Sequence, residues 1–187
     1  MALQSRIRPH FLFNSLNTVL GLMRSEPQLA ETVLENLAEL YRALLSESGV
    51  LSRLEREIAL ARAYTEIEVT RLGSRLTVNW QCQGVPFDAL VPPFVLQPLL
   101  ENAVYHGVEP SEAGGVVNVT IFLKGDQLNL VVRNPCESPS HRQSGNRMAL
   151  TNIRERLALH FDAEAEMSAY EAGGEFVVQI RMPYKHG

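Results

Sequence analysis

The stretch Leu96–Gly107, LQPLLENAVYHG, decides how the rest of the chain folds. It follows Pro92-Pro93, and the run from Val91 to Gly107 is mostly apolar and reads as one helix. Glu101 and Asn102 stand on that otherwise apolar surface, and Asn102, Tyr105 and His106 share a side at steps of three and four. Buried polar groups need partners, so this cluster faces water, a ligand or its own sheet. An exposed helix edge meets that demand. A nucleotide site meets it as well, because an amide oxygen suits Mg²⁺, which keeps waters and phosphates in its shell.

Outward from this helix the pattern changes to strands. Leu76 to Cys82 alternates and holds β-branched and aromatic residues, as a half-buried strand does. Gly84-Val85-Pro86 turns the chain. Val116–Leu123 and Leu128–Arg133 form a hairpin around Lys124-Gly125-Asp126. Asn134–Asn146 is a Pro- and Ser-rich loop, of a length that tends to be functional or disordered. Met148–Phe161 is helical, with Leu150, Ile153, Leu157 and Phe161 on one side. Glu164–Tyr170 and Glu175–Met182 close the chain as a strand pair across Gly173-Gly174. Residues 75–187 therefore predict one sheet with helices on a face, an α+β sandwich.

Residues 1–74 read as helices throughout. The first spans Leu3 to about Arg24, the second Gln28–Ser46 after a Ser25-Glu26-Pro27 start signal, the third Ser52–Leu72 with Ser52 and Glu55 in capping-box spacing. Leu54, Ile58, Ala61, Ile67 and Val69 mark the buried face of the third. The first helix contains Ile7–Asn17, IRPHFLFNSLN. His10, Asn14 and Asn17 form a polar stripe on a surface that is otherwise apolar, the mark of a helix buried in a bundle or an oligomer. Pro9 inside this helix predicts a kink at His10. A histidine there is either satisfied by a carbonyl or used chemically, since imidazole is a nucleophile near neutral pH. The spacing leaves both open.

The strings themselves say more. Residues 9–14, Pro-His-Phe-Leu-Phe-Asn, resemble the phosphoacceptor motif of the LytS/YehU-type sensor histidine kinases. Leu96–Asn102 resembles the asparagine box of the GHKL (Bergerat-fold) ATPases in that family's version, and Asn152–Leu157 matches the family again. The resemblance implies a helical dimerisation and phosphoacceptor platform over 1–74 and a GHKL ATP-binding domain over 75–187. It implies ATP and Mg²⁺ as cofactors, with Asn102 as the metal ligand and Tyr105, His106, Asn134, Gly145, Arg147 and Asn152 around the nucleotide. It implies that His10 accepts a phosphoryl group and passes it to an aspartate of a response regulator, one with a LytTR domain, and that the protein is a homodimer.

The sequence also departs from that family. Tyr105 stands where a lysine is usual, so one charge near phosphate is lost, and His106 restores it only when protonated. Asn134 replaces an aspartate that accepts a hydrogen bond from adenine. Gly145 survives from a run of three glycines, with Arg147 and Ala149 in place of the others. Arg147 can instead reach phosphate through its side chain. These departures resemble a proteobacterial subgroup of alginate-regulating sensors. They leave two functions standing: an ATP-dependent kinase acting on His10, and a scaffold or phosphatase in which Asn14 positions water against a phosphoaspartate. The expected consequence is weak ATP binding. Phe11 stands where many histidine kinases carry an acid beside the phosphoacceptor, so no base is evident in the motif. A GHKL ATPase of the chaperone or topoisomerase kind is disfavoured by the histidine-bearing helices.

Composition bounds the rest. The chain has 187 residues and a formal net charge of −4, which gives no basic footprint for direct nucleic-acid binding. Cys82 and Cys136 stand apart, with neither disulfide nor zinc spacing, as in a reducing compartment. The sequence holds no apolar run long enough to span a bilayer. Helical pattern from the first residues predicts a cytoplasmic piece of a longer protein that sits in the bacterial inner membrane through a region not present here.

Overall fold

The computed structural model describes residues 8–46, 49–136 and 143–187. Three helices come first: α1 (Pro9–Leu22), α2 (Pro27–Leu45) and, after a two-residue strand β1 (Ser52–Arg53), α3 (Leu54–Leu72). α1 buries Phe11, Ser15 and Val19 against them. The Phe11 ring lies 5.1 Å from that of Tyr64 on α3, and Ser15, polar but fully buried, is satisfied by donating to the Phe11 carbonyl at 2.6 Å. The expected apolar face of α3 is buried at Leu54, Ile58, Ala61 and Ile67, whereas Val69 is exposed.

Two expectations about helix starts need correction. Pro9 is not inside a helix. Arg8 is extended, as the residue before a proline prefers, and Pro9 takes the first helical position, where its missing N–H interrupts nothing. No kink is therefore needed at His10, and residues 1–7 lie outside the described residues. Nor do Ser25 and Ser52 cap their helices: Glu26 and Arg53 hold the cap positions without side-chain cap bonds. Ser52 is drawn into β1, which pairs with β3 (Leu90–Val91), and the first N–H groups of α3 donate to the carbonyls of Ala89 and Phe87 at 2.8 and 3.0 Å. Tertiary pairing thus replaces the local cap.

Beyond Gly73–Arg75 the chain enters a five-stranded sheet. Its strands are β2 (Leu76–Gln81), β4 (Gly115–Lys124), β5 (Gln127–Pro135), β6 (Glu166–Ala172) and β7 (Glu175–Pro183), in the order β2-β4-β5-β7-β6. β2 runs parallel to β4 and the other neighbours are antiparallel. Registered residues separate cleanly by face. Val117, Val119 and Ile121 align with Leu130 and Val132 and then with Val178 and Ile180 on the buried face. Asn118, Thr120 and Gln179 point the other way. α5 (Gln143–Phe161) covers the buried face with Leu150, Ile153, Leu157 and Phe161.

The segment expected as one helix from Val91 is three pieces. β3 ends at Val91, Pro92–Leu96 is a turn with Phe94 at φ 56°, and α4 (Gln97–Asn102) passes directly into a π-helical turn over Ala103–Val108. The loop expected at 134–146 is shorter at both ends, because β5 reaches Pro135 and α5 begins at Gln143. Most of its polar middle lies outside the described residues. The buried core is one cluster that runs from α1 through α3 and α4 into the sheet.

Candidate functional site

The π turn gives the Gln97–Val108 segment two working faces. Turns of this kind concentrate at functional sites. The wider turn separates residues that ordinary helical spacing would group. Asn102 and His106 face the sheet, whereas Glu101 and Tyr105 face α1. The expectation that Asn102, Tyr105 and His106 share a side is corrected accordingly.

On the sheet side, Asn102, His106 and Asn134 meet in a cavity with Leu99, Val132, Leu150, Phe176 and Val178. Asn134 sits on the buried face of β5 opposite Phe176, and donates from Nδ2 to the Pro135 carbonyl at 2.9 Å. Gly107 is required there, because a Cβ at 107 would lie 2.3 Å from Asn134 Nδ2. The cavity is closed down to about 10 Å³, room for one water at most. The residues nevertheless suit a nucleotide with its metal. Asn102 is 8% exposed and its Nδ2 is buried with no hydrogen-bond partner. The orphaned donor costs roughly 1–3 kcal/mol, which an acceptor oxygen of a nucleotide would relieve, whereas a metal would take the Oδ1 atom of the same amide. The apolar walls with one further amide, Asn134, suit a flat base.

On the helix side lies a larger cavity of about 240 Å³, lined by His10 and Asn14 of α1 and by Glu101 and Tyr105. His10 is exposed in the first turn of α1, Asn14 is half-buried one turn later, and Asn17 is exposed. Arg8 ties the two segments together. Its backbone N–H donates to Glu101 Oε1 at 3.0 Å, its guanidinium donates to His106 Nε2 at 3.1 Å, and its Cζ lies 3.8 Å over the Tyr105 ring. A guanidinium has no acceptor, so in this contact Nε2 of His106 is the accepting atom. The cation over the Tyr105 ring is the Arg8 guanidinium. Burial pushes the Glu101 carboxyl up to about 7, and the nearby Glu68 adds to this against the pull of Arg8.

The floor of this cavity is an ion-paired strut. Arg71 at the end of α3 reaches Glu68 at 2.7 Å and Glu109 at 2.9 Å; burial opposes its charge, but the hydrogen bonds and negative charge of these two carboxylates outweigh it and keep Arg71 firmly charged. Arg75 donates to the carbonyls of Glu109 and Ser111 at 2.8 and 2.9 Å. Together they fix the end of the π turn to the end of α3.

Of the remaining expected residues, Asn152 is exposed on α5, while its neighbours Leu150 and Ile153 face the sheet. Gly145 and Arg147 fall in the first turns of α5, and their side chains lie outside the described residues. Among the described residues no His, Cys, Asp and Glu cluster could hold a metal by itself, and no helix is long and apolar enough to cross a membrane. Reading the sequence overlooked Arg8 as a connecting residue. A signal was present: an arginine two positions before His10, in a chain that lacks the lysine at 105.

Comparison with known proteins agrees with this geometry. Residues 1–76 match the family model described as histidine kinase. The chain is 29% identical to the sensor histidine kinase YpdA of Escherichia coli over 96% of its own length and 33% of that protein. It is 28% identical to the sensor histidine kinase/phosphatase LytS of Staphylococcus aureus over 98% of its length and 34% of that protein. It thus spans about a third of these relatives. The fold resembles the histidine kinase domain of the blue-light-activated kinase EL346 of Erythrobacter litoralis, with a TM-score of 0.51, 20% identity and coverage of 97% and 91% of the two chains. It also resembles the Acinetobacter baumannii histidine kinase AdeS, with a TM-score of 0.53, 10% identity and coverage of 94% and 96%. With its helical platform, its α/β sandwich and relatives that align along nearly its whole length, the chain is similar to sensor histidine kinases of the YpdA and LytS kind.

Proposed function

We propose that this chain is the kinase portion of a two-component sensor, which transfers the γ-phosphoryl group of ATP to His10 and from there to an aspartate of a response regulator. The observation that carries the reading is the shared segment. One short stretch, Gln97–Val108, contributes Asn102 to the nucleotide face and Glu101 and Tyr105 to the cavity that holds His10. Holding two reacting groups on one rigid element is what phosphoryl transfer needs most.

In this reading residues 1–74 are the dimerisation and phosphoacceptor region and 75–187 the ATP-binding region. Asn102 is the protein ligand for Mg²⁺, which neutralises phosphate charge when bound. His106 and Asn134 complete the base and ribose side, and Gly145, Arg147 and Asn152 lie on the segment that would cover the phosphates. Phe13, Leu16, Leu20 and Met23 are exposed along one side of α1 at coiled-coil spacing, which supports a homodimer through this helix. The response regulator is of the LytTR type, and the full-length protein sits in the bacterial inner membrane.

A second reading has its own support. The closed nucleotide face and the committed Asn134 amide favour a protein whose autokinase activity is weak and which dephosphorylates its regulator, with Asn14 placing the water. Labelling with [γ-³²P]ATP separates the two. The kinase reading expects acid-labile label on the wild type and none on His10→Gln. Label that persists in His10→Gln contradicts it, and so does an unlabelled wild type that still dephosphorylates a phosphorylated regulator.

A further inference from the structure

We propose that Arg8 is the cation that holds the γ-phosphate on its way to His10, so that the phosphoacceptor helix itself supplies the charge that a phenol at 105 does not. The inference rests on the kinase reading above.

A transferring phosphoryl group spreads negative charge over its oxygens and needs a positive charge fixed beside the acceptor. Glu68, Glu101 and Glu109 line the cavity that holds His10, so an anion enters only where a cation offsets them. Among the described residues Arg71 and Arg8 line it as well. Arg71 is committed: it takes Glu68 through Nε at 3.1 Å and through a terminal nitrogen at 2.7 Å, and Glu109 at 2.9 Å. Arg8 is held differently. Its carbonyl accepts from the Phe11 N–H at 3.0 Å, which places it in the turn that carries His10. Its backbone N–H donates to Glu101 Oε1 at 3.0 Å, while the guanidinium Nε stays 3.8 Å from that oxygen, beyond hydrogen-bond reach. The carboxylate thus grips the backbone of Arg8 more closely than its charge. Tyr105 fixes the cation without a carboxylate, since Cζ lies 3.8 Å over its ring. A terminal nitrogen reaches His106 Nε2 at 3.1 Å, and His106 shares the sheet-side cavity with Asn102, the proposed ligand of Mg²⁺. The guanidinium therefore stands between the cavity of His10 and that of the nucleotide. Its side chain is 32% exposed, which leaves the cation accessible.

The step balances. One ring nitrogen of neutral His10 attacks the γ-phosphorus, the bond to the bridging oxygen breaks, and ADP leaves with that electron pair. The proton on the other ring nitrogen passes to water. Arg8 gives and takes no proton, because a guanidinium stays charged at any working pH. Its planar fork of N–H donors suits the phosphoryl oxygens, and its charge offsets theirs as they move. A lysine at 105 would carry its ammonium toward the place that the guanidinium holds over the ring. Positions 8 and 105 therefore offer one charge to the same phosphate from two elements of the fold.

The test compares wild type with Arg8→Ala, Arg8→Lys and the double variant Arg8→Ala, Tyr105→Lys. Binding is read by calorimetry with ATP and with ADP, each with Mg²⁺, in a His10→Gln background where no transfer consumes the ligand. Arg8→Ala should weaken ATP about 10-fold and leave ADP within about twofold, as the loss of one charged contact to the γ-phosphate alone requires. The initial rate of His10 labelling at saturating ATP should fall about 10²-fold, the range for one lost donor to a developing oxyanion. Arg8→Lys and the double variant should each recover part of both losses. ATP and ADP weakened alike, or neither weakened, overturns the proposal, and so does wild-type kcat in Arg8→Ala. A loss that neither lysine recovers also overturns it, since packing and not charge was then removed. If Arg8→Ala does not fold, Arg8→Gln decides by the same comparison of ATP with ADP. A wild type that takes no label from ATP removes the kinase reading and this inference with it, whereas full labelling of His10 in Arg8→Ala overturns this inference alone.

Discussion

The two faces of Gln97–Val108 are built from neighbouring residues and are in opposite conditions. The face toward α1 is assembled. Arg8 bridges the segments, Arg71 and its two carboxylates brace the floor, and a cavity of about 240 Å³ stands beside His10. The face toward the sheet is shut to about 10 Å³, with one orphaned amide at Asn102. The difference teaches where work remains to be done. The α1 side already holds an open cavity beside His10, whereas on the sheet side the proposed nucleotide would have to part Asn134, Phe176 and Leu150 before its base could enter. Opening draws on binding energy and lowers apparent affinity by the fraction of open molecules. Weak ATP binding, expected from the residues at 105, 147 and 149, then has a second cause in the packing.

The largest expected effect breaks the assembled face. Phe11→Ala empties the contact with Tyr64 at the root of His10 and should destabilise the fold by about 3–5 kcal/mol in urea unfolding. A loss well below that would mean that α1 packs loosely and that the shared cavity is not held.

Next is the response to pH. Glu57 accepts hydrogen bonds from the backbone of Phe94 and Val95, yet burial holds it at about 7, as it does Glu101. For acids with raised folded values the sign is fixed. The native state binds more protons than the unfolded chain between about pH 4.5 and 7, so stability falls as pH rises through that window and is flat above it. Each carboxyl contributes up to about 3 kcal/mol at 1.36 kcal/mol per unit. Denaturant midpoints measured across the window should fall with pH, and Glu101→Gln should flatten part of the slope. A rising midpoint would contradict the burial of both groups.

A smaller effect separates the faces. Asn102→Ala should weaken binding of ATP with Mg²⁺ by at least about 10-fold, near 1.4 kcal/mol, while His10→Gln leaves it within about twofold. Equal losses in calorimetry would mean that the faces are not separable. Smallest is Arg8→Ala. Loss of its stacking on Tyr105 and its hydrogen bond to His106 should cost about 0.5–1.5 kcal/mol of stability, read by thermal unfolding. No change would show that Arg8 is not the link.

The sheet and three helices were legible because alternation and helical spacing are local. Val117, Val119 and Ile121, or Leu150, Ile153 and Leu157, announce their faces by spacing alone. The start of α1 was legible too, had the restriction on the residue before proline been weighed against the helical pattern around it. What sequence could not give depends on distant partners. Ser52 leaves its capping role because Val91 pairs with it, and Gly107 is needed because Asn134 lies over it. The π turn has no local signature, so the division of Glu101 and Tyr105 from Asn102 and His106 was hidden. The expected site residues split between two cavities for that reason.

The most direct test of the account takes His10 labelling by [γ-³²P]ATP as a function of ATP concentration, for wild type, Asn102→Ala and His10→Gln side by side. The account predicts that Asn102→Ala labels slowly because KM for ATP rises, and that His10→Gln takes no label while binding ATP with Mg²⁺ as the wild type does. Label on His10→Gln, or an Asn102→Ala variant that labels like the wild type, would contradict it.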